Sequence, residues 1–201
     1  MRRVASNSMN ALFLVAFLSL APFQAAAAVV YSQPHDLSGT LTQASGNGND
    51  YDMFVWDNFT LDSDQDITEI GWRGGYIYPP VYPSSPVLYF DLSIWGTVAN
   101  QPNIGAGPLA LYEMVSGNET PAGTFGGAAM YDYSSVLPTP FHAVAGTQYW
   151  VEIGAFQSGV PGWGLAAGSG GDGQHFASYV NYAGGTAYRF ASGDAAFTLL
   201  K

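Results

Sequence analysis

Residues 51–72 restrict the fold of this chain more than any other stretch. Phe59 and Leu61 alternate with Asn58 and Thr60, and Ile70 and Trp72 alternate with Glu69 and Gly71. A period of two sends one set to a buried face and the other toward water, the signature of a half-buried strand. Between the two halves, Asp62, Ser63 and Asp64 carry short polar side chains that can hydrogen-bond their own backbone. The expectation is a pair of strands joined by a tight acidic turn, a hairpin at the centre of a β-rich domain.

The rest of the chain extends that pattern. In residues 88–95, Leu88, Phe90, Leu92 and Ile94 share one face, and Tyr89, Asp91, Ser93 and Trp95 share the other. Residues 29–48 suit one edge strand and a polar loop, and the four prolines between Pro79 and Pro86 exclude a central strand there. Shorter strands are expected at 109–114 and 130–133. A strand edge at Phe141 and a turn at Gly146 lead to a strong strand with Tyr149, Val151 and Ile153 on one face. Segments around Trp163 and over 176–182 follow, with the Gly-rich run 168–173 read as a flexible hairpin connection, and 195–200 closes the chain. No helical period occurs beyond the first 28 residues. Roughly nine to twelve short strands without an internal boundary predict an all-β fold. The expected architecture is a single antiparallel β-sandwich of jelly-roll type over 29–201.

Residues 1–28 have the three parts of a secretory signal peptide. Arg2 and Arg3 precede an apolar run over 11–21, and small residues follow at Ala25 to Ala28. The run falls short of the roughly 20 residues a membrane span needs, so a retained anchor is the weaker alternative. The expected location is secreted, extracellular or periplasmic. Without that leader the formal charge moves from −10 to −12, with only Arg73, Arg189 and Lys201 as basic residues. Such a surface repels phosphate backbones and excludes nucleic acid as a partner. Aromatics at 15% and charged residues at 10% are the reverse of a disordered composition. With no cysteine, disulfides, thiolate catalysis and thiolate metal sites are all excluded.

The motifs carry little chemistry. Asp62, Asp64 and Asp66 have the start of a calcium loop, but Ile67 and Arg73 stand where an EF-hand needs Gly and Glu. A solvated turn is the preferred reading, and a looser calcium site on these acids, or on Asp50 and Asp52, is the alternative; no other cofactor is expected. His35, His142 and His175 lack zinc-protease spacing, and His175 beside the Gly-rich loop reads as a surface residue. There is no nucleophile elbow of the G-x-S-x-G kind. Asp91 and Glu152 occupy polar faces of strong strands and could form the facing pair a glycoside hydrolase uses. The aromatics stand out. Tyr76, Tyr78 and Tyr82 lie in the proline-stiffened loop, and Trp95 and Trp150 lie opposite the apolar stripes, with Tyr89 and Tyr112 placed similarly. Flat rings suit sugar faces, with Asp91 accepting hydroxyl hydrogen bonds. The competing reading makes the tryptophans core residues beneath long loops.

The series Trp56-Asp-Asn-Phe-Thr-Leu61, 66–72, Phe90-Asp-Leu-Ser-Ile-Trp95, 145–153, Gly-Trp-Gly with Gly-Gly-Asp-Gly, and 194–199 resembles a secreted bacterial β-sandwich module. That module is common in exported proteins bearing the PEP-CTERM sorting signal or another anchor. The resemblance spans nearly all of 29–201 and rests on strand and turn patterns. It implies surface or matrix association and no general catalytic activity. The Pro-Glu-Pro motif, apolar span and basic tail of such proteins are not found before Lys201, which leads us to expect a released protein. The overall expectation is a non-catalytic structural or carbohydrate-binding module. A polysaccharide hydrolase and a ligand-free matrix component are the alternatives.

Overall fold

The computed structural model describes residues 27–48, 52–77, 85–160, 162–180 and 185–201. Residues 1–26 of the expected leader, Asp50, Tyr78 and Tyr82 lie outside the described residues. In chain order the strands are β1 (Val29–Gln33), β2 (Leu41–Gln43), β3 (Ser45–Gly46), β4 (Val55–Thr60), β5 (Gln65–Tyr76) and β6 (Val87–Trp95). They continue with β7 (Thr97–Val98), β8 (Gln101–Pro102), β9 (Ala110–Val115), β10 (Thr120–Phe125), β11 (Ala128–Ala143) and β12 (Gln148–Gln157). The last five are β13 (Trp163–Gly168), β14 (Gln174–Val180), β15 (Thr186–Ser192), β16 (Asp194–Ala195) and β17 (Phe197–Leu200).

The fold is an antiparallel β-sandwich of jelly-roll type. The larger sheet runs β1-β17-β5-β11-β10 with β13, β2 and β16 attached, and the smaller runs β15-β14-β4-β12-β6-β9 with β3 beside β12. Inward residues of both sheets make one core. It includes Phe59, Leu92 and Ile153 from the smaller sheet and Ile70, Trp72, Tyr133 and Leu199 from the larger. Trp72 binds the layers together. Its ring stacks on Tyr133 at 5.7 Å and meets Phe90 of the opposite sheet edge-on at 5.0 Å. Each such pair contributes about 0.5–1.5 kcal/mol beyond its buried area. Gly74 lies beneath the Trp163 ring, where any Cβ would overlap it.

The acidic turn differs from its sequence reading. β4 pairs with β12 and β14, whereas β5 pairs with β11, β17 and β13, so the two strands belong to opposite sheets. Residues 61–64 form an arch between the layers and not a hairpin. The chain crosses there because Leu61 is buried as it enters the core side. A second arch, from β11 to β12, stacks beside the first: Gly146 N donates to Leu61 O at 2.9 Å, and Ala145 N donates to Asp64 Oδ1 at 2.8 Å. The Gly-rich run 168–173 is likewise a crossover from β13 to β14 and not a hairpin connection. Residues 29–48 hold more than an edge strand and loop, since β2 joins the larger sheet and β3 the smaller. Expected strand 130–133 is the opening of the much longer β11, which carries Pro138 and Pro140 where its ladder with β5 shifts register between Val136 and Phe141.

Candidate functional site

The outer face of β6 and β12 gathers most of the residues with binding chemistry. Their register pairs Phe156 with Tyr89, Gly154 with Asp91, Glu152 with Ser93 and Trp150 with Trp95. Alternation sends all eight away from the core, because Phe90, Leu92 and Ile94 and their partners Ala155, Ile153 and Val151 point inward and are buried. The result is a strip with rings at both ends and acids between. Tyr89 and Phe156 stack at 4.8 Å and 5° between planes, and both are partly exposed. Six residue steps of strand lead from Tyr89 to Trp95, roughly 20 Å at about 3.4 Å per step. Gly154, in the middle, is buried, and a Cβ there would touch Asp91 O and the Phe54 ring at 3.9 Å.

Glu152 is the electrostatic centre of this strip. Its Oε2 accepts hydrogen bonds from Ser93 Oγ at 2.8 Å and from Trp95 Nε1 at 3.0 Å. Burial among the rings raises its pKa to about 7; the bonds from Ser93 and Trp95 oppose the rise and the charge of Asp91 adds to it. Asp91 accepts from Met114 N at 2.9 Å, which ties β6 to β9. By register the two acids sit one diagonal step apart on one face, neighbours on one wall and not groups facing across a groove. That differs from the arrangement expected for a hydrolase pair.

The tryptophans part company. Trp95 is partly exposed, and its indole N–H is held by Ser93 and Glu152. Trp150 is fully buried. With Trp56 and Phe176 it forms a second small core on this outer face, covered in part by Ile104 of the 3₁₀ turn Ile104–Ala106, and its Nε1 donates to Thr97 Oγ1 at 3.0 Å. Its ring therefore has no open face for a ligand, as the core reading expected. The outer ends of the cluster are exposed at Tyr188 and Phe190. Tyr112 is not placed like Tyr89: it points into the main core, and its hydroxyl donates to Thr139 O at 2.9 Å.

Other expected residues lie elsewhere. Tyr76 ends β5 in the larger sheet, packs against the main core and donates through its hydroxyl to Glu119 Oε2 at 3.4 Å. The structure does not bring it to the strip. Asp62 is exposed, Asp64 holds the second arch, and Asp66 Oδ1 pairs with His142 Nδ1 at 2.7 Å. Among the described residues no group of three or more His, Asp or Glu side chains is gathered to hold a metal ion.

His175 is buried and not on the surface: its Nδ1 lies 2.7 Å from Gly193 O. Sequence reasoning also missed the polar corner around it. Asp194 accepts from Gly171 N at 2.9 Å and Gly173 N at 2.6 Å, which explains the Gly-rich run as a carboxylate cradle. Asp57, between inward Val55 and Phe59, accepts from Asn58 N and Ala195 N. Burial drives its pKa up to about 8 against those two bonds, helped by the nearby charges of Asp194 and Asp172. An acid on the inward stripe of a strand was the available signal. No family model matches this chain, and no curated protein and no solved structure matches it.

Proposed function

We propose that this is a secreted, non-catalytic β-sandwich that binds polysaccharide in the extracellular or envelope space through the outer strip of β6 and β12. The observation that carries the reading is the Tyr89–Phe156 stack and Trp95 flanking Asp91 and Glu152. Rings give stacking platforms, carboxylates accept hydroxyl hydrogen bonds, and strand backbones fix both before a ligand arrives. The acidic net charge of −10 favours a neutral or cationic polymer. Export rests on the leader over residues 1–28; the N-terminus of the protein recovered outside the cytoplasm should lie close to Val29.

The test is depletion of the protein from solution by a panel of insoluble polysaccharides, with calcium and with a chelator. Selective depletion by one polymer supports the reading, and loss of depletion on chelation would add a calcium requirement. Depletion by none would leave a structural matrix role in its place. A hydrolase is the second reading, because Glu152 lies beside Asp91 on one strand face and burial pushes its carboxyl up to about 7, the range of a general acid. Release of reducing ends from any polymer, abolished in Glu152→Gln, would replace binding by catalysis.

A further inference from the structure

The outer face of the larger sheet holds a groove of about 410 Å³, unrelated to the aromatic strip and within the size range of small-molecule sites. Its floor is made of small residues, Gly71 of β5 and Ala196 before β17. One rim carries the Ser32 and Thr198 hydroxyls, 3.0 Å apart in register beside Gly71. The other carries Arg73 and Asp132, joined by two parallel hydrogen bonds of 2.7 and 2.9 Å. His35 closes one end, held edge-on against the Phe125 ring at 4.7 Å, with the Arg73 guanidinium 5.5 Å from the same ring.

His35 is the unexplained member. Its side chain is only 3% exposed. Its Nδ1 lies 3.3 Å from Arg73 Nη1, and because a guanidinium only donates, Nδ1 is the acceptor and the ring proton sits on Nε2. Among the described residues that buried Nε2 has no hydrogen-bond partner; a carboxylate oxygen of Asp36 is 4.0 Å away. With no accessible surface at Nε2, the ring gives the groove a fixed wall and not a donor, whereas the Arg73 and Asp132 side chains on the rim keep 23% and 49% of their surface exposed.

The charges narrow the ligand. Arg73 is neutralised by Asp132, and Asp36 adds a further negative charge, so an anion gains nothing here. Hydroxyls on one rim and a guanidinium with its carboxylate on the other offer donors and acceptors together, which matches vicinal hydroxyl groups. We propose that this groove binds a neutral polyol of one or two sugar residues, held by Arg73, Asp132, Ser32 and Thr198. The site is independent of the strip on the opposite sheet.

The experiment is a ¹⁵N NMR titration of the full chain with D-galactose, D-mannose, N-acetylglucosamine and maltose, with galacturonate and sulfate as anionic controls. Saturable shifts at the Gly71 amide and the His35 imidazole are expected, with Kd on the order of 1–10 mM. Gly71→Leu should fill the floor and weaken binding at least about tenfold. A Cβ at Gly71 would have only Tyr133 O as a neighbour, at 3.7 Å, so that chain should still fold. Thr198→Val, which removes a rim hydroxyl without changing bulk, should weaken binding separately. No saturable shift at Gly71 and His35 with any neutral sugar would overturn the proposal, as would shifts with the anions alone or undiminished binding by both variants. Shifts confined to Tyr89 and Trp95 would uphold the strip and overturn the groove. Shifts at the groove without depletion by any polymer would do the reverse.

Discussion

The two outer faces of the sandwich are built by opposite means. On the smaller sheet, large rings crowd around an acid, and burial there goes so far that Trp56, Trp150 and Phe176 form a core of their own. On the larger sheet, Gly71, Ala196, Ser32 and Thr198 leave a hollow edged by an Arg–Asp pair. The shared interior fixes the inward positions of both sheets, so each outward face is free to carry different chemistry. One face is suited to an extended chain lying across rings, the other to a small molecule dropping between hydroxyls.

The two faces should respond differently to substitution. The largest effect should come from Trp150→Ala, which empties a fully buried site on the smaller sheet. A loss of about 3–5 kcal/mol in urea unfolding is expected, against under about 1 kcal/mol for Gly71→Leu. Equal costs would mean that the faces do not differ in burial.

Acidity should separate the faces by sign. Glu152 has a folded pKa raised from 4.5 to about 7, so its contribution is fully present below pH 4.5 and is lost as pH rises through 7. After allowance for solvent screening this amounts to roughly 2 kcal/mol. Asp57 acts in the same direction, so the Glu152 share is read from the difference between wild type and Glu152→Gln. His35 on the groove has a pKa lowered by burial and by Arg73. Its contribution therefore grows as pH rises toward 6.5 and is complete above it, and His35→Gln should remove that opposite trend from the urea midpoint. Parallel pH trends in the two variants would contradict the assignment.

A small effect on stability is also expected for Tyr89→Ala, whose partly exposed ring stacks on Phe156. A change near 1 kcal/mol or less should accompany a clear loss of polymer depletion. A larger loss of stability with retained depletion would make that stack a fold element.

Much of this architecture was legible in the sequence because alternation reports directly on which residues face in. Residues 88–95 follow it to the letter at Phe90, Leu92 and Ile94, and only Leu88 escapes the core, exposed at the strand's start. Alternation is silent about partners. It reads the same whether consecutive strands pair or cross between layers, which is why residues 61–64 looked like a hairpin and are an arch. The strip was half visible, since Trp95, Asp91 and Glu152 stood on outward faces, but the burial of Trp150 depends on Ile104 and Phe176, distant in sequence. The groove had no local signature. Ser32, His35, Arg73, Asp132 and Thr198 come from separate strands and from the link after β1, and only the register joins them.

The most direct test of the central claim compares depletion of wild type, the Tyr89→Ala/Trp95→Ala double variant and Gly71→Leu by the same insoluble polysaccharides. Selective depletion in wild type and Gly71→Leu, lost in a double variant that remains folded, is the predicted result. Depletion by no polymer, or equal depletion of all three proteins, would contradict a binding role for the strip.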